Sequence, residues 1–192
     1  MVDFELSEIL HVALQPYYDA PKETWNHFAS HCEVVTVPKN AILKERNKPE
    51  AFFYFIIHGS LGLFLQNENQ QVCLDFAFQH AFFGDYMSIL TQQATPLELI
   101  ALEKSQLARI QSQTFIELGQ TPIGSIIMRA CAEVSFLSKQ AQQIDLLTKT
   151  AKQRYNDLLL RYPDIESKVS QKHLASYLGV TPQSFSRLQR ST

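Results

Sequence analysis

The sequence predicts an α+β chain in three parts: a two-sheet β-roll (jelly roll) over 1–120, a long helix over 121–147, and a set of short helices over 148–192. Three observations carry this. From Cys32 to Ile110 the chain is a series of short apolar runs rich in Val, Ile and Phe. They are separated by turn residues at roughly ten-residue spacing, the pattern of a sandwich or roll. From Thr121 the apolar residues recur with a helical period. The charge also changes sign along the chain: from Lys149 onward there are 8 Lys and Arg against 3 acids, +5, while the remainder holds 9 against 16, −7.

In chain order, residues 1–30 read as one or two short helices broken at Pro16 and Pro21. The expected strands are CEVVTV, ending at Pro38, then AFFYFII, running into His58-Gly59-Ser60, and LGLFL. After a polar turn from Gln66 to Gln70 come VCLDFAF, ELIALE and QLARI. Phe52, Phe53, Phe55, Phe64, Phe76, Phe78, Phe82 and Phe83 are expected as core between the two sheets, not as a ligand cage.

Thr121 is a suitable N-cap with Pro122 at the first helical position. Ile123, Ile127, Ala130, Val134, Leu137, Ala141, Ile144, Thr148, Ala151, Tyr155 and Leu158 then alternate at spacings of four and three. So narrow and long a seam suits a parallel coiled-coil homodimer, with Ile123, Ile127, Ala130, Val134 and Leu137 as its contact residues. A helix lying along its own β domain is the alternative. The polar stretch from Asp145 to Thr150 reads as a hinge, with Thr148 capping a second helix that runs to Arg161 and stops at Tyr162-Pro163.

The stretch VSQKHLASYLGVTPQSFSRLQRS reads as a helix from Ser170 to Leu178, a turn at Gly179-Val180-Thr181, and a helix from Pro182 to Arg190. Ser170 and Thr181 are expected caps, and Gly179 permits a left-handed turn. Leu174, Ala175, Leu178, Val180, Phe185 and Leu188 fall where two crossed helices touch. That leaves Gln183, Ser184, Arg187 and Arg190 outward, groups suited to base edges and phosphates. Gln171, Lys172, Thr181 and Pro182 complete the candidate DNA-facing set. A basic end on an acidic body fits the same partner, because each cation placed on a phosphate releases a counterion.

Composition narrows the remaining possibilities. With 45% hydrophobic and 19% charged residues the chain is an ordinary globular one. No basic-then-apolar leader and no run of about eighteen apolar residues is present, so a cytoplasmic protein without a membrane partner is expected. Cys32, Cys73 and Cys131 are too scattered for a disulfide framework and read as small apolar residues, and no metal or other cofactor is expected. No nucleophile–base arrangement or Gly-rich phosphate loop suggests an enzyme.

SQKHLASYLGVTPQSFSRLQR resembles the helix-turn-helix of Crp–Fnr transcription regulators. VPKNAILKERNKPEAFFYFIIHGSLGLFL and AFFGDYMSILT resemble the first strands and the phosphate-cassette opening of their cyclic-nucleotide-binding roll, a double-stranded β-helix. YNDLLLRYPDIESKV resembles the variant common in Bacteroidetes regulators. The resemblance implies a homodimer on a palindromic operator, contact with RNA polymerase, and control by a small-molecule effector in the roll. It places the groove-reading positions at Pro182, Gln183 and Arg187, and the wing that usually follows is truncated or absent here. The family's cassette pairs Gly-Glu with Arg-Ser/Thr about eleven residues later. Here Gly84-Asp85 fills the first element, while Thr95 and Pro96 stand where Arg and Ser/Thr belong, and no arginine lies between Arg46 and Arg109. A phosphate would lose its bidentate cation, for which only Lys48 or Lys104 could deputise. The expected effector is therefore not cyclic AMP, in a pocket near Gly84, Asp85, Tyr86 and Thr95. An iron–sulfur cluster lacks its cysteines, and isolated His58 and His80 are a poor basis for haem. The reading from another class is a degenerate roll serving as a protein-interaction module without specific DNA binding.

Overall fold

The computed structural model describes residues 2–15, 20–67 and 70–190, with the side chains of 2–4, 67 and 123 outside the described set; Pro16 and part of the Gln66–Gln70 turn therefore also lie outside it. Two N-terminal helices, α1 (Val2–Leu14) and α2 (Lys22–Ala29), lead into β1 (Glu33–Val37), β2 (Ile42–Lys44), β3 (Phe52–His58), β4 (Ser60–Asn67) and β5 (Gln70–Phe78). Then come β6 (Phe82–Phe83), α3 (Tyr86–Thr91), β7 (Leu97–Ala101), β8 (Ser105–Gln111) and α4 (Ser112–Leu118). The chain continues through α5 (Pro122–Thr148), α6 (Ala151–Arg161), α7 (Ile165–Lys168), α8 (Gln171–Tyr177) and α9 (Pro182–Arg190). The strands form two antiparallel four-stranded sheets, ordered β1-β8-β3-β6 and β2-β7-β4-β5. The two sheets face one another as a β-roll. Two of its strands, β2 and β6, are too short to be read from the sequence.

The apolar surface is divided among three layers. Between the sheets lie Tyr54, Ile56, Leu61, Leu63, Phe83, Leu99 and Leu107. On the far side of the first sheet, Phe53 and Phe55 pack with Trp25, Phe28, Phe115 and Ile127. AFFYFII therefore shows no alternation, because both faces of β3 are covered. On the far side of the second sheet, Phe64, Cys73, Phe76, Phe78 and Leu102 share a cluster with Tyr155, Leu158, Leu174, Leu178 and Phe185 of the C-terminal helices. This corrects the expectation for the phenylalanines. Phe64, Phe76 and Phe78 face outward from the roll, and what buries them is the C-terminal unit. Gly59, between β3 and β4, has φ +101°, and a Cβ there would run into Ser105. The corner needs glycine on both counts.

Thr121 caps α5, its Oγ1 accepting from the Gly124 N–H at 3.0 Å. One side of α5 rests on the roll through buried Gly124, Ile127 and Cys131. Farther along, Lys139 pairs with Asp75 at 2.5 Å, and the Gln142 amide donates to the Leu74 carbonyl at 3.0 Å. The other side carries Val134, Leu137 and Ile144, 48%, 66% and 50% exposed. The expected seam is thus split. Ile127 belongs to its own roll, Ala130 is half-buried, and from Val134 the stripe faces away from the chain. Tyr155 and Leu158, the last members of the expected seam, are instead buried beyond the end of the helix. Thr148 does not cap α6: its hydroxyl donates back to the Ile144 carbonyl at 2.8 Å. Thr150 does so, in a reciprocal capping box with Gln153. Among the described residues no helix is long and apolar enough to cross a membrane.

Candidate functional site

The C-terminal unit is built so that α9 presents one polar face. Ser170 caps α8, accepting from the His173 N–H at 3.3 Å. At its other end the Gly179 N–H donates to the Ser176 carbonyl and the Val180 N–H to the Ala175 carbonyl, at 3.0 and 2.9 Å. With Gly179 at φ +69°, this is a Schellman turn, which satisfies carbonyls the helix end would otherwise leave open. Thr181 starts α9, its hydroxyl accepting from the Ser184 N–H at 3.2 Å. Leu174, Ala175, Leu178 and Phe185 are fully buried at the crossing of the two helices. Thr181, Pro182, Gln183, Ser184, Arg187 and Arg190 are all exposed along α9 and its cap, as are Gln171 and Lys172 at the start of α8. The whole candidate DNA-facing set is therefore accessible. Near its end α9 is held by the Gln189 amide, which donates to Glu166 at 2.6 Å. The Tyr155 hydroxyl donates to the same carboxylate, and these two bonds hold Glu166 below its ordinary pKa.

This unit is docked on the roll. The Ser176 hydroxyl accepts from the Cys73 N–H of β5 at 2.8 Å. Ring pairs Phe76–Tyr177 and Phe64–His173 lie 4.4 and 4.6 Å apart. Burial, with Lys172 beside it, lowers the pKa of His173. One side of α8 is thus bonded directly to the second sheet.

The cassette region is closed upon itself. Asp85 caps α3 through Oδ1, accepting from the Ser88 N–H at 3.1 Å. Its Oδ2 accepts from the Thr95 hydroxyl and lies 3.3 Å from Lys44 Nζ, with both charged side chains only 1% exposed. Lys44 also donates to Thr95 Oγ1 at 3.0 Å and to the Leu97 carbonyl at 2.7 Å. Asp85 and Thr95 are therefore brought together, around an ammonium of the protein's own. That cation is Lys44, not Lys48 or Lys104, and it reaches Thr95 across 51 residues of sequence. Gly84 packs beside Phe53 and Glu50. Tyr86 turns away and donates from its hydroxyl to the Met128 carbonyl of α5 at 3.2 Å. Glu50, also unsignalled in the sequence, accepts from the Asp85 N–H at 3.2 Å and is 4% exposed. Burial raises its pKa from 4.5 to about 7. Glu50 and Ser88 line a cleft of about 450 Å³ with Phe52, Gln92 and Gln113.

His27 and His31, four residues apart, bring their rings to 4.9 Å, but among the described residues no group of three His, Cys, Asp or Glu could hold a metal. Cys73 and Cys131 are buried, and burial pushes both thiols up to about 12.

Residues 34–121 match the family model of the cyclic nucleotide-binding domain. No curated protein matches the sequence. Among solved structures, the fold is similar to the c-di-GMP-responsive global regulator CLP of Xanthomonas campestris: 18% identity, TM-score 0.68, over 89% of this chain and 91% of that one. It is similar to FixK2 of Bradyrhizobium japonicum at 15% identity and TM-score 0.71, over 83% of each chain. A transcriptional regulator of the Crp/Fnr family from Eubacterium rectale aligns at 16% identity and TM-score 0.70, over 92% of this chain and 87% of that one. The chain thus contains a cyclic nucleotide-binding-type roll, and its fold is that of Crp/Fnr regulators.

Proposed function

We propose that the protein is a transcription regulator that binds DNA as a homodimer through a C-terminal helix-turn-helix, α8–α9, under control of a signal received by the β-roll. The observation that carries this reading is the sidedness of α9: Phe185 is fully buried, while Gln183, Ser184, Arg187 and Arg190 face solvent together. Such a helix fits the major groove, with amides and guanidinium groups toward base edges and phosphates. The exposed stripe of Val134, Leu137 and Ile144 supports pairing of two α5 helices, which would set two reading helices about one DNA turn apart, roughly 34 Å. On this reading 1–120 receives the signal, 121–147 dimerises and 148–192 binds DNA.

On this reading the signal is one other than cyclic AMP. Asp85 and Thr95, in the stretch that resembles the family's phosphate cassette, are committed to the buried Lys44 and to each other, which supports this. The test is fluorescence anisotropy with the full chain on a duplex from its own upstream region, against a shuffled duplex at equal salt, with and without cyclic AMP. Preference for the upstream duplex, indifferent to cyclic AMP, is expected. Preference appearing only with cyclic AMP overturns the reading of the cassette. Equal weak binding to both duplexes favours the interaction-module alternative.

A further inference from the structure

We infer that Arg154 is a positioning residue for DNA reading, clamping the reading unit at a fixed angle to the α5 shaft; the inference rests on the function proposed above. The corner between α5 and α6 is only Lys149 and Thr150, and Lys149, with φ −109° and ψ 144°, has left the helix. Apart from the docking of α8 on the second sheet, the setting of this corner depends on what crosses it. Arg154, in the second turn of α6, does. One terminal nitrogen donates to the Lys149 carbonyl at 2.5 Å, and the other donates to the Leu178 carbonyl at 2.7 Å. The first acceptor lies in the corner. The second belongs to Leu178, the C-cap of α8, one residue before the left-handed Gly179 in the turn that leads to α9.

Both acceptors stand at helix ends, where carbonyls lack an intrahelical partner and a cation is favoured. The planar guanidinium donates to the two from separate nitrogens, in a fork whose geometry is fixed. Lys149 braces the same corner from outside, its ammonium lying 2.9 Å from Asp145 in α5 and 2.8 Å from Asp157 in α6. Arg154 is the member of this set that reaches into the α8–α9 turn, so its bonds connect the corner and the reader. In a dimer the angle it holds fixes the separation of the two α9 helices, and hence the match to two successive major grooves.

Full-length Arg154→Gln and Arg154→Lys are compared with wild type in two assays. Hydrogen exchange without DNA reads the Lys149 amide, bonded to the Asp145 carbonyl, and the Val180 amide, bonded to the Ala175 carbonyl. Both should exchange about tenfold faster in Arg154→Gln, while the Leu174 and Phe185 amides stay protected. Anisotropy should show operator affinity falling about tenfold or more with binding to shuffled duplex and its salt slope kept, since no phosphate contact is lost. Arg154→Lys should restore part of both. Unchanged exchange at Lys149 and Val180 overturns the inference. So does loss of protection throughout α8 and α9 with parallel weakening on both duplexes, which marks ordinary destabilisation. If wild type prefers no duplex, the functional reading fails on that arm, and exchange alone decides whether Arg154 couples corner and turn.

Discussion

Glu50 makes the protein's stability depend on pH in a direction opposite to that of most carboxylates. Its folded pKa, about 7 against 4.5 for a free side chain, reflects burial beside Asp85, whose N–H it accepts but whose charge it opposes. Between those two values the folded chain binds the proton that the unfolded chain releases. Stability is therefore greatest below the unfolded pKa and falls as pH rises through the folded one. A shift from 4.5 to about 7 corresponds to about 3 kcal/mol, most of which falls between pH 5 and pH 8. His173, Asp164 and Glu166, all with lowered values, act in the opposite direction, so wild type alone would blur the effect. The difference between wild type and Glu50→Gln isolates it. Urea unfolding of both at pH 5 and pH 8 should show wild type losing about 2–3 kcal/mol more than the variant on going to the higher pH. Parallel pH profiles would refute the reasoning and mean that the carboxylate is solvated or paired at neutral pH.

Lys44→Met leaves Asp85 buried without its cation and should cost about 3–5 kcal/mol in urea unfolding, part of it recovered in Lys44→Met with Asp85→Asn. Leu137→Glu, at a site 66% exposed in the single chain, should leave the melting temperature of the fold nearly unchanged while light scattering shows monomer in place of dimer. Arg187→Glu should keep the circular dichroism spectrum and lower operator affinity by at least tenfold, about 1–3 kcal/mol for one good base contact. An affinity within twofold of wild type would remove Arg187 from the reading surface. Ellman's reagent should leave Cys73 and Cys131 unmodified in the folded protein, as both are buried and both thiols titrate at about 12.

What could be read in the sequence was whatever local pattern decides. The caps at Thr121, Ser170 and Thr181, the left-handed Gly179 and the bounds of α9 rest on neighbours within a few residues. Strands β3, β4, β5, β7 and β8 announced themselves by apolar runs, whereas β2 and β6, three and two residues long, carry no pattern to see. Phe53, Phe55, Phe64, Phe76 and Phe78 lie on the outer faces of their sheets, contrary to the expectation, because an apolar residue does not state which neighbour buries it. The α5 seam was read too long at both ends: Ile127 answers to the roll, and Tyr155 and Leu158 to α8 and α9. Lys44 and Glu50 were invisible for another reason. Each acts through partners 35 or more residues away in sequence, and a lone charged residue in a strand or loop normally reads as surface.

The aromatic face on the outside of the second sheet also bears on how the chain is made. Phe64, Phe76 and Phe78 leave the ribosome well before α8 and α9, the last described helices to emerge. For that interval the nascent roll carries an uncovered phenylalanine surface, the kind that invites association with other chains. A roll truncated after α5 would keep that surface for good, so the C-terminal helices act as a built-in cover that keeps newly made roll from sticking to its neighbours.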